Sequence, residues 1–428
     1  MYQVLPVWVG GADEVFDGAA VVMVAAGDAH TACVTAKGTL WSWGYGEFGR
    51  LGHGDREPRQ RPVRLGKEMY GGSPAVMVAC GGEHTLVLTA VGCVWSCGEG
   101  SLGQLGHGDA SNQLVLTLVG EEGFRGAQIV MVAAGGNHSV ALGADGIVWA
   151  WGYGQFGQLG HNDEQKRLAP TQLAGEALGG AAAVLVAAGG DHTLAVTLAG
   201  ALWVWGMGRH GQLGLGDTDN RLAPTLLGAE MAFEGSQVLM VACGNDHTLA
   251  VTKDYALWTF GRGDHGALGH NDKDDKLVPT RIEAQHFGNA NIICAAAGQS
   301  HSAAVTEEGA LYTWGDESPD DRMLAGQAKL MPTPMATHLL QGARVGCCGH
   351  CLPLLHILAF AMGTHARLGS ADEAAPGAAD ATACAYLMMP GELVRQLVEA
   401  CASLPEGRAG ELEGVVRLLG GWGVRGEV

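Results

Sequence analysis

A chain of 428 residues with 25 Lys and Arg against 44 Asp and Glu has a formal charge of −19, and that balance argues against direct binding to a nucleic-acid backbone. Gly at 69 residues and Pro at only 14, with 47% of the chain hydrophobic, describe a folded, turn-rich protein rather than a low-complexity one. The 11 Cys are an odd number with no basic and apolar leader ahead of them, and the longest apolar run, 351–362, is broken by Pro353 and His356, so the reading is an intracellular protein, cytoplasmic or nuclear, with no membrane partner.

In chain order, the first feature is Leu5-Pro-Val-Trp-Val9, which has the pattern of Arg61-Pro-Val-Arg-Leu65 but no unit of its own behind it. A complete unit follows: an apolar run from Val21 to Ala25, a Gly turn, a run beginning His30-Thr31, a turn at Lys37-Gly38, and the alternating Leu40-Trp-Ser-Trp43. Each run has strand length and each break has turn chemistry. A Gly-rich loop, 44–54, leads to a fourth, Pro-led segment at Pro62, which suits an outer edge strand because Pro donates nothing to a ladder. The unit repeats at a period of about 54 residues, marked by His30, His84, His138, His192, His247 and His301. Leu51-Gly-His-Gly-Asp55 returns at Leu105, Leu159, Leu213 and Leu268, and the Trp pair returns at Trp149 and Trp151, Trp203 and Trp205, Trp258 and Phe260, and Tyr312 and Trp314. Small sheets of this kind cannot bury both faces alone and stack radially. A degraded further unit is read from Val345 to Gly369, so the expectation is an all-β, seven-bladed β-propeller over residues 1–369, closed by the N-terminal strand. A flexible linker is expected over 370–383 and a C-terminal helical tail over 384–428, where Leu393, Leu397 and Cys401 fall at helical spacing.

Few residue groups suggest chemistry. The repeated histidines are spread by the symmetry of the repeat and cannot converge on one ion, so each is read as a structural group hydrogen-bonded within its own blade. The loop histidines His53, His107, His161 and His270 are expected to be more exposed. Cys347, Cys348, His350 and Cys351 are the one cluster of soft ligands, but their spacing matches no zinc pattern. Gly44-Tyr-Gly-Glu-Phe-Gly49 resembles a phosphate cradle, yet it recurs in the repeats and precedes no helix. Nothing nominates a nucleophile or general base; no cofactor, no metal and no enzymatic activity are expected.

The period, the Gly-x-x-His-Thr start, the Trp-x-Trp-Gly strand and the Gly-x-Leu-Gly-x-Gly-Asp loop resemble the regulator-of-chromosome-condensation repeat family. The resemblance implies a seven-bladed propeller, and its members range from an exchange factor for a small GTPase to a plant ultraviolet-B photoreceptor and binding modules of ligases and kinases. The photoreceptor carries Trp and Arg immediately before its repeated His; this chain has neither there, so light sensing is not expected. By resemblance to the exchange factor, the residues ahead of each His contact the partner, which gives Asp28, Glu83, Asn137, Asp191 and Asp246. The first five units are nearly equal in length and leave no room for the wedge of that exchange factor, and the sixth deviates at 315–322 only by being shorter. The expected function is therefore a protein-interaction scaffold with a protein partner bearing basic residues, the alternative being a guanine-nucleotide exchange factor acting on a small GTPase.

Overall fold

The computed structural model describes residues 16–120, 123–228, 232–315 and 328–335. Their strands form six four-stranded antiparallel sheets, each a meander of consecutive strands. The first blade has β1 (Val21–Ala26), β2 (His30–Thr35), β3 (Leu40–Gly44) and β4 (Arg59–Leu65). The second has β5 (Ala75–Cys80), β6 (His84–Thr89), β7 (Val94–Gly98) and β8 (Gln113–Leu118); the third has β9 (Ile129–Ala134), β10 (His138–Gly143), β11 (Val148–Gly152) and β12 (Arg167–Gln172). The fourth has β13 (Ala183–Ala188), β14 (His192–Thr197), β15 (Leu202–Gly206) and β16 (Arg221–Leu227); the fifth has β17 (Val238–Cys243), β18 (His247–Thr252), β19 (Leu257–Gly261) and β20 (Lys276–Arg281). The sixth has β21 (Ile292–Ala297), β22 (His301–Thr306), β23 (Leu311–Gly315) and β24 (Lys329–Pro334).

The expectation of seven blades closed by the N-terminal strand is corrected by this count: the propeller has six blades among the described residues. The physical reason lies in the contacts that join blades. Each of the six units brings the His, and each of the later five brings a hydroxyl and a second aromatic or thiol to meet the blade before it; the sequence 345–369 has neither a Ser or Thr directly after a His nor the Trp pair. That stretch, the strand expected at 5–9, the linker 370–383, the helical tail 384–428 and the cluster Cys347 to Cys351 all lie outside the described residues. Helix among the described residues is confined to short turns such as Lys67–Tyr70 and Ala284–Phe287.

The joints between blades are built alike. The second strand of a blade packs on the first strand of the next. His30 Nε2 meets Thr85 Oγ1 of the next blade at 2.8 Å, His84 meets Ser139 at 3.0 Å, His138 meets Thr193 at 2.9 Å, His192 meets Thr248 at 3.0 Å and His247 meets Ser302 at 2.9 Å. The expectation that these histidines bond within their own blade is thus corrected: they staple neighbours. Each hydroxyl donates its one proton to a loop carbonyl of the preceding blade, that of Arg50, Gln104, Gln158, Gln212 or Ala267, at 2.7 to 2.9 Å. The hydroxyl must then accept from the ring, so each imidazole carries a proton on Nε2. Burial is the main cause that pushes the five rings down to a pKa of about 3 or 4.

The second aromatic of each pair closes the same joint. Trp151, Trp205 and Trp314 are buried and donate Nε1–H to the carbonyls of Gln104, Gln158 and Ala267 at 2.8 to 3.0 Å. In four blades the first aromatic packs edge-on against a Phe from the connection that leads into its blade, Phe16 with Trp41, Phe124 with Trp149, Phe233 with Trp258 and Phe287 with Tyr312. The Pro of the fourth segment lies inside its strand rather than at its start, in Arg59–Leu65 and Arg167–Gln172 alike. Blade two has Leu116 at that place, with an N–H, and there the preceding loop pairs with the strand through His53 and Val115.

Candidate functional site

The antiparallel meander puts the loop between the first and second strands and the loop between the third and fourth strands at the same end of each blade. His30 is paired with Gly44, and the N–H of Tyr45 donates to the carbonyl of Ala29 at 2.9 Å. The same bond ties Glu99 to Glu83, Tyr153 to Asn137, Met207 to Asp191 and Arg262 to Asp246. Neighbouring blades are linked through this end as well, since Gly82 N–H donates to Gly136 O and Gly136 N–H to Gly190 O, both at 3.1 Å. Asp28, Glu83, Asn137, Asp191 and Asp246 therefore share one end of the propeller.

Asp28 stands one place earlier than the other four. Gly27 and Gly81 hold equivalent positions ahead of His30 and His84, so Asp28 matches Gly82, and a Cβ placed on Gly82 would lie 3.4 Å from the Asp28 Oδ2. Asp28 is exposed, yet its carboxyl is pushed above its ordinary value, mainly by burial of the group and against the pull of Arg50.

The remaining acids are engaged by their own chain. Glu83 is ion-paired with Arg50, which is 1% exposed and also lies 3.7 Å from Glu47. Asp191 accepts a hydrogen bond from Gln158 Nε2 at 2.9 Å, and burial, followed by the charge of Asp246, raises its carboxyl above the ordinary range. Asp246 meets Arg262 at 3.3 Å, and Arg262 meets Asp264 at 2.7 Å. Arg50 and Arg262 are the residues of this candidate site that the sequence reading passed over. The signal was present: Arg50 stands where the other loops have Gln104, Gln158, Gln212 and Ala267, and a buried Arg needs an acid beside it.

The outer part of this end is aromatic and charged. Tyr45 is 62% exposed, and Tyr153 and Phe156 form an edge-on pair at 5.9 Å. Further out, Asp55, Asp163, Asp217 and Asp272 each clamp the Arg or Lys four residues on at 2.6 to 2.8 Å. The loop histidines are half-buried rather than exposed, because Ser42, Ser96 and Thr259 hydrogen-bond His53, His107 and His270 at 2.8 to 3.0 Å. Among the described residues no group of three or more His, Cys, Asp and Glu is arranged to hold a metal ion, and no helix is long and apolar enough to cross a membrane.

Comparison with known proteins agrees with this architecture. The family model of the RCC1-like domain matches residues 6–352. The ultraviolet-B receptor UVR8 of Arabidopsis thaliana is 39% identical over 296 residues, covering 69% of this chain and 65% of the receptor. The human E3 ubiquitin-protein ligase HERC2 is 36% identical over 352 residues, covering 81% of this chain. The chain spans only 7% of that ligase, and less than two thirds of the receptor. Among solved structures, human WBSCR16 superposes with a TM-score of 0.66 at 25% identity, covering 77% of this chain and 84% of that one. With the repeat, the blade geometry and the family match in agreement, the chain belongs to the RCC1-like domain family.

Proposed function

We propose that the chain is a protein-interaction scaffold that recognises a partner protein bearing basic residues through the end of the propeller that carries Asp28, Glu83, Asn137, Asp191 and Asp246. The observation that carries the reading is the charge gathered there: Asp28, Glu47, Glu83, Glu99, Asp191, Asp246 and Asp264 outnumber Arg50, Arg209 and Arg262. Arg50 is buried beneath that surface, so the field above it is negative and attracts a cationic partner over a Debye length of about 8 Å at physiological salt. Exposed Tyr45 adds a ring face on which a Lys or Arg can settle.

An exchange factor for a small GTPase is the alternative. The loops between Gly44 and Arg59, Gly98 and Gln113, Gly152 and Arg167, Gly206 and Arg221, and Gly261 and Lys276 are equal in length, and none extends into a wedge. That evenness favours the scaffold. Relatives supply only the kind of activity: Prp20p of Saccharomyces cerevisiae, which shares the fold at 24% identity, binds Gsp1p and histones.

The test is affinity capture from soluble extract with the full chain and with D28N/D191N/D246N, followed by measurement of affinity for the captured partner. Neutralising the three acids while keeping their hydrogen-bonding shape is expected to weaken binding at least tenfold with little change in melting temperature. Unchanged affinity removes the acidic-end reading; accelerated release of labelled GDP from a captured GTPase promotes the alternative.

A further inference from the structure

Gln104, Gln158 and Gln212 occupy one position in successive loops, and their side chains are anchored alike. Each Oε1 accepts the N–H two residues earlier, from Leu102, Phe156 and His210, at 2.9 to 3.0 Å. With Oε1 fixed, the direction of Nε2 is fixed too. Gln158 Nε2 donates to Asp191 of the next blade at 2.9 Å, and Gln104 Nε2 to Glu99 at 3.3 Å. Gln212 Nε2 is buried and has no hydrogen-bond partner among the described residues. The acid that stands ahead of the next His, Asp246, is turned instead to Arg262, whose Nη1 lies 3.3 Å from Oδ2, and to Asn245 Nδ2 at 3.1 Å.

Two adjacent joints thus differ: Gln158 of blade three holds Asp191 of blade four, whereas Asp246 of blade five is held by Arg262 of its own blade and not by Gln212 of blade four. We propose that Arg262 is an internal stand-in for a partner's basic side chain, and that on binding Asp246 passes from Arg262 to the waiting amide of Gln212. The inference rests on the acidic-end reading above and adds the residue that regulates it. Arg262 keeps a holder when Asp246 leaves, because Asp264 binds it through both Nη2, at 2.7 Å, and Nε, at 2.9 Å. Asp246 gains a buried donor in exchange for a partly exposed ion pair, an exchange of small net cost. Asp191 and Asp246 then match, each with one oxygen on a Gln and the other available to one guanidinium or ammonium group of the partner.

The test uses the full chain and a fluorescein-labelled Gly-Lys-Arg-Lys-Gly peptide, with binding read by anisotropy at about 0.15 M salt. R262Q is expected to bind roughly two- to fivefold more tightly than the unsubstituted chain, the range that an exposed ion pair supports. R209Q removes the same charge from the neighbouring loop, where Arg209 is exposed and makes no ion pair among the described residues, and is expected to give a smaller gain. Adding Q212L to R262Q is expected to erase the gain, because Asp246 then has no amide to receive it. An R262Q affinity no tighter than that of R209Q, or a gain that survives Q212L, overturns the proposal. If D28N/D191N weakens binding while R262Q does nothing, the acidic-end reading stands and only the transfer of Asp246 falls; if neither the unsubstituted chain nor R262Q binds the peptide, both fall.

Discussion

At the scale of single residues, the repeats behave as internal controls for one another. The hydroxyl of the third strand and the His of the following loop occur together in Ser42 with His53, Ser96 with His107 and Thr259 with His270, whereas Val204 faces a loop with Leu215. The odd pair is Ala150 with His161, whose Nε2 is buried with no hydrogen-bond partner among the described residues. Ala150→Ser should therefore stabilise the protein by about 1 kcal/mol, read as a raised midpoint in urea; a lowered midpoint would show that the methyl group, not the missing hydroxyl, matters there. Thr193→Val should do the opposite. It strips His138 Nε2–H of its acceptor in a buried joint and should cost about 1–3 kcal/mol. Denaturation of the two variants and their combination would also show whether the two sites act independently, as their different surroundings predict.

At the scale of the blade, the strands were readable because the apolar alternation, the Gly turns and the aromatic pair recur with a common period. Their partners were not. A His ahead of Thr or Ser reads equally well as bonded within its blade or across to the next, and packing of β2 on β5, then β6 on β9, selects the second. The glycine before each His marks this close approach: a Cβ on Gly135 would overlap the His138 ring and lie 2.5 Å from Gly189 O. The second aromatic carries the joint, so Trp205→Ala should cost about 3–5 kcal/mol through the cavity and the lost bond to Gln158 O. Leu116→Pro should cost less, about 1–3 kcal/mol, since it removes one paired edge N–H and trims a buried side chain while restricting the unfolded chain. Thermal melts of the two variants side by side test that contrast, and comparable losses would mean the outer strand is as buried in its ladder as the inner ones.

At the scale of the whole molecule, the five stapling histidines set the response to acid. Their folded pKa values, about 3 or 4, lie below the ordinary 6.5, so the unfolded chain binds more protons between those values. Their contribution is fully present above about pH 6.5 and is lost as pH falls toward 3 to 4, each site contributing a slope of about 1.4 kcal/mol per pH unit. His53, His107, His161 and His270 are lowered as well, chiefly by burial, and act in the same direction. Asp28 and Asp191, raised by burial, oppose the trend, because the fold prefers their neutral forms and gains from them as pH falls. Nine histidines outweigh two acids, so the melting temperature should drop steadily from pH 6.5 to 4.5. A flat profile over that window would contradict the buried neutral staples.

The repeat and the strand order within a blade could be taken from the chain alone, because each rests on local spacing and on side-chain chemistry that repeats. The number of blades could not, since 345–369 keeps the period but not the hydroxyl and Trp pair that hold one blade on the next. The state of the acids could not either: Glu83, Asp191 and Asp246 look alike as residues ahead of a His, and their differences arise from Arg50, Gln158 and Arg262, all distant in sequence. Local spacing writes the blade into the sequence, while charges are paired by whatever the folding of one blade and the stacking of its neighbours bring within a few ångströms.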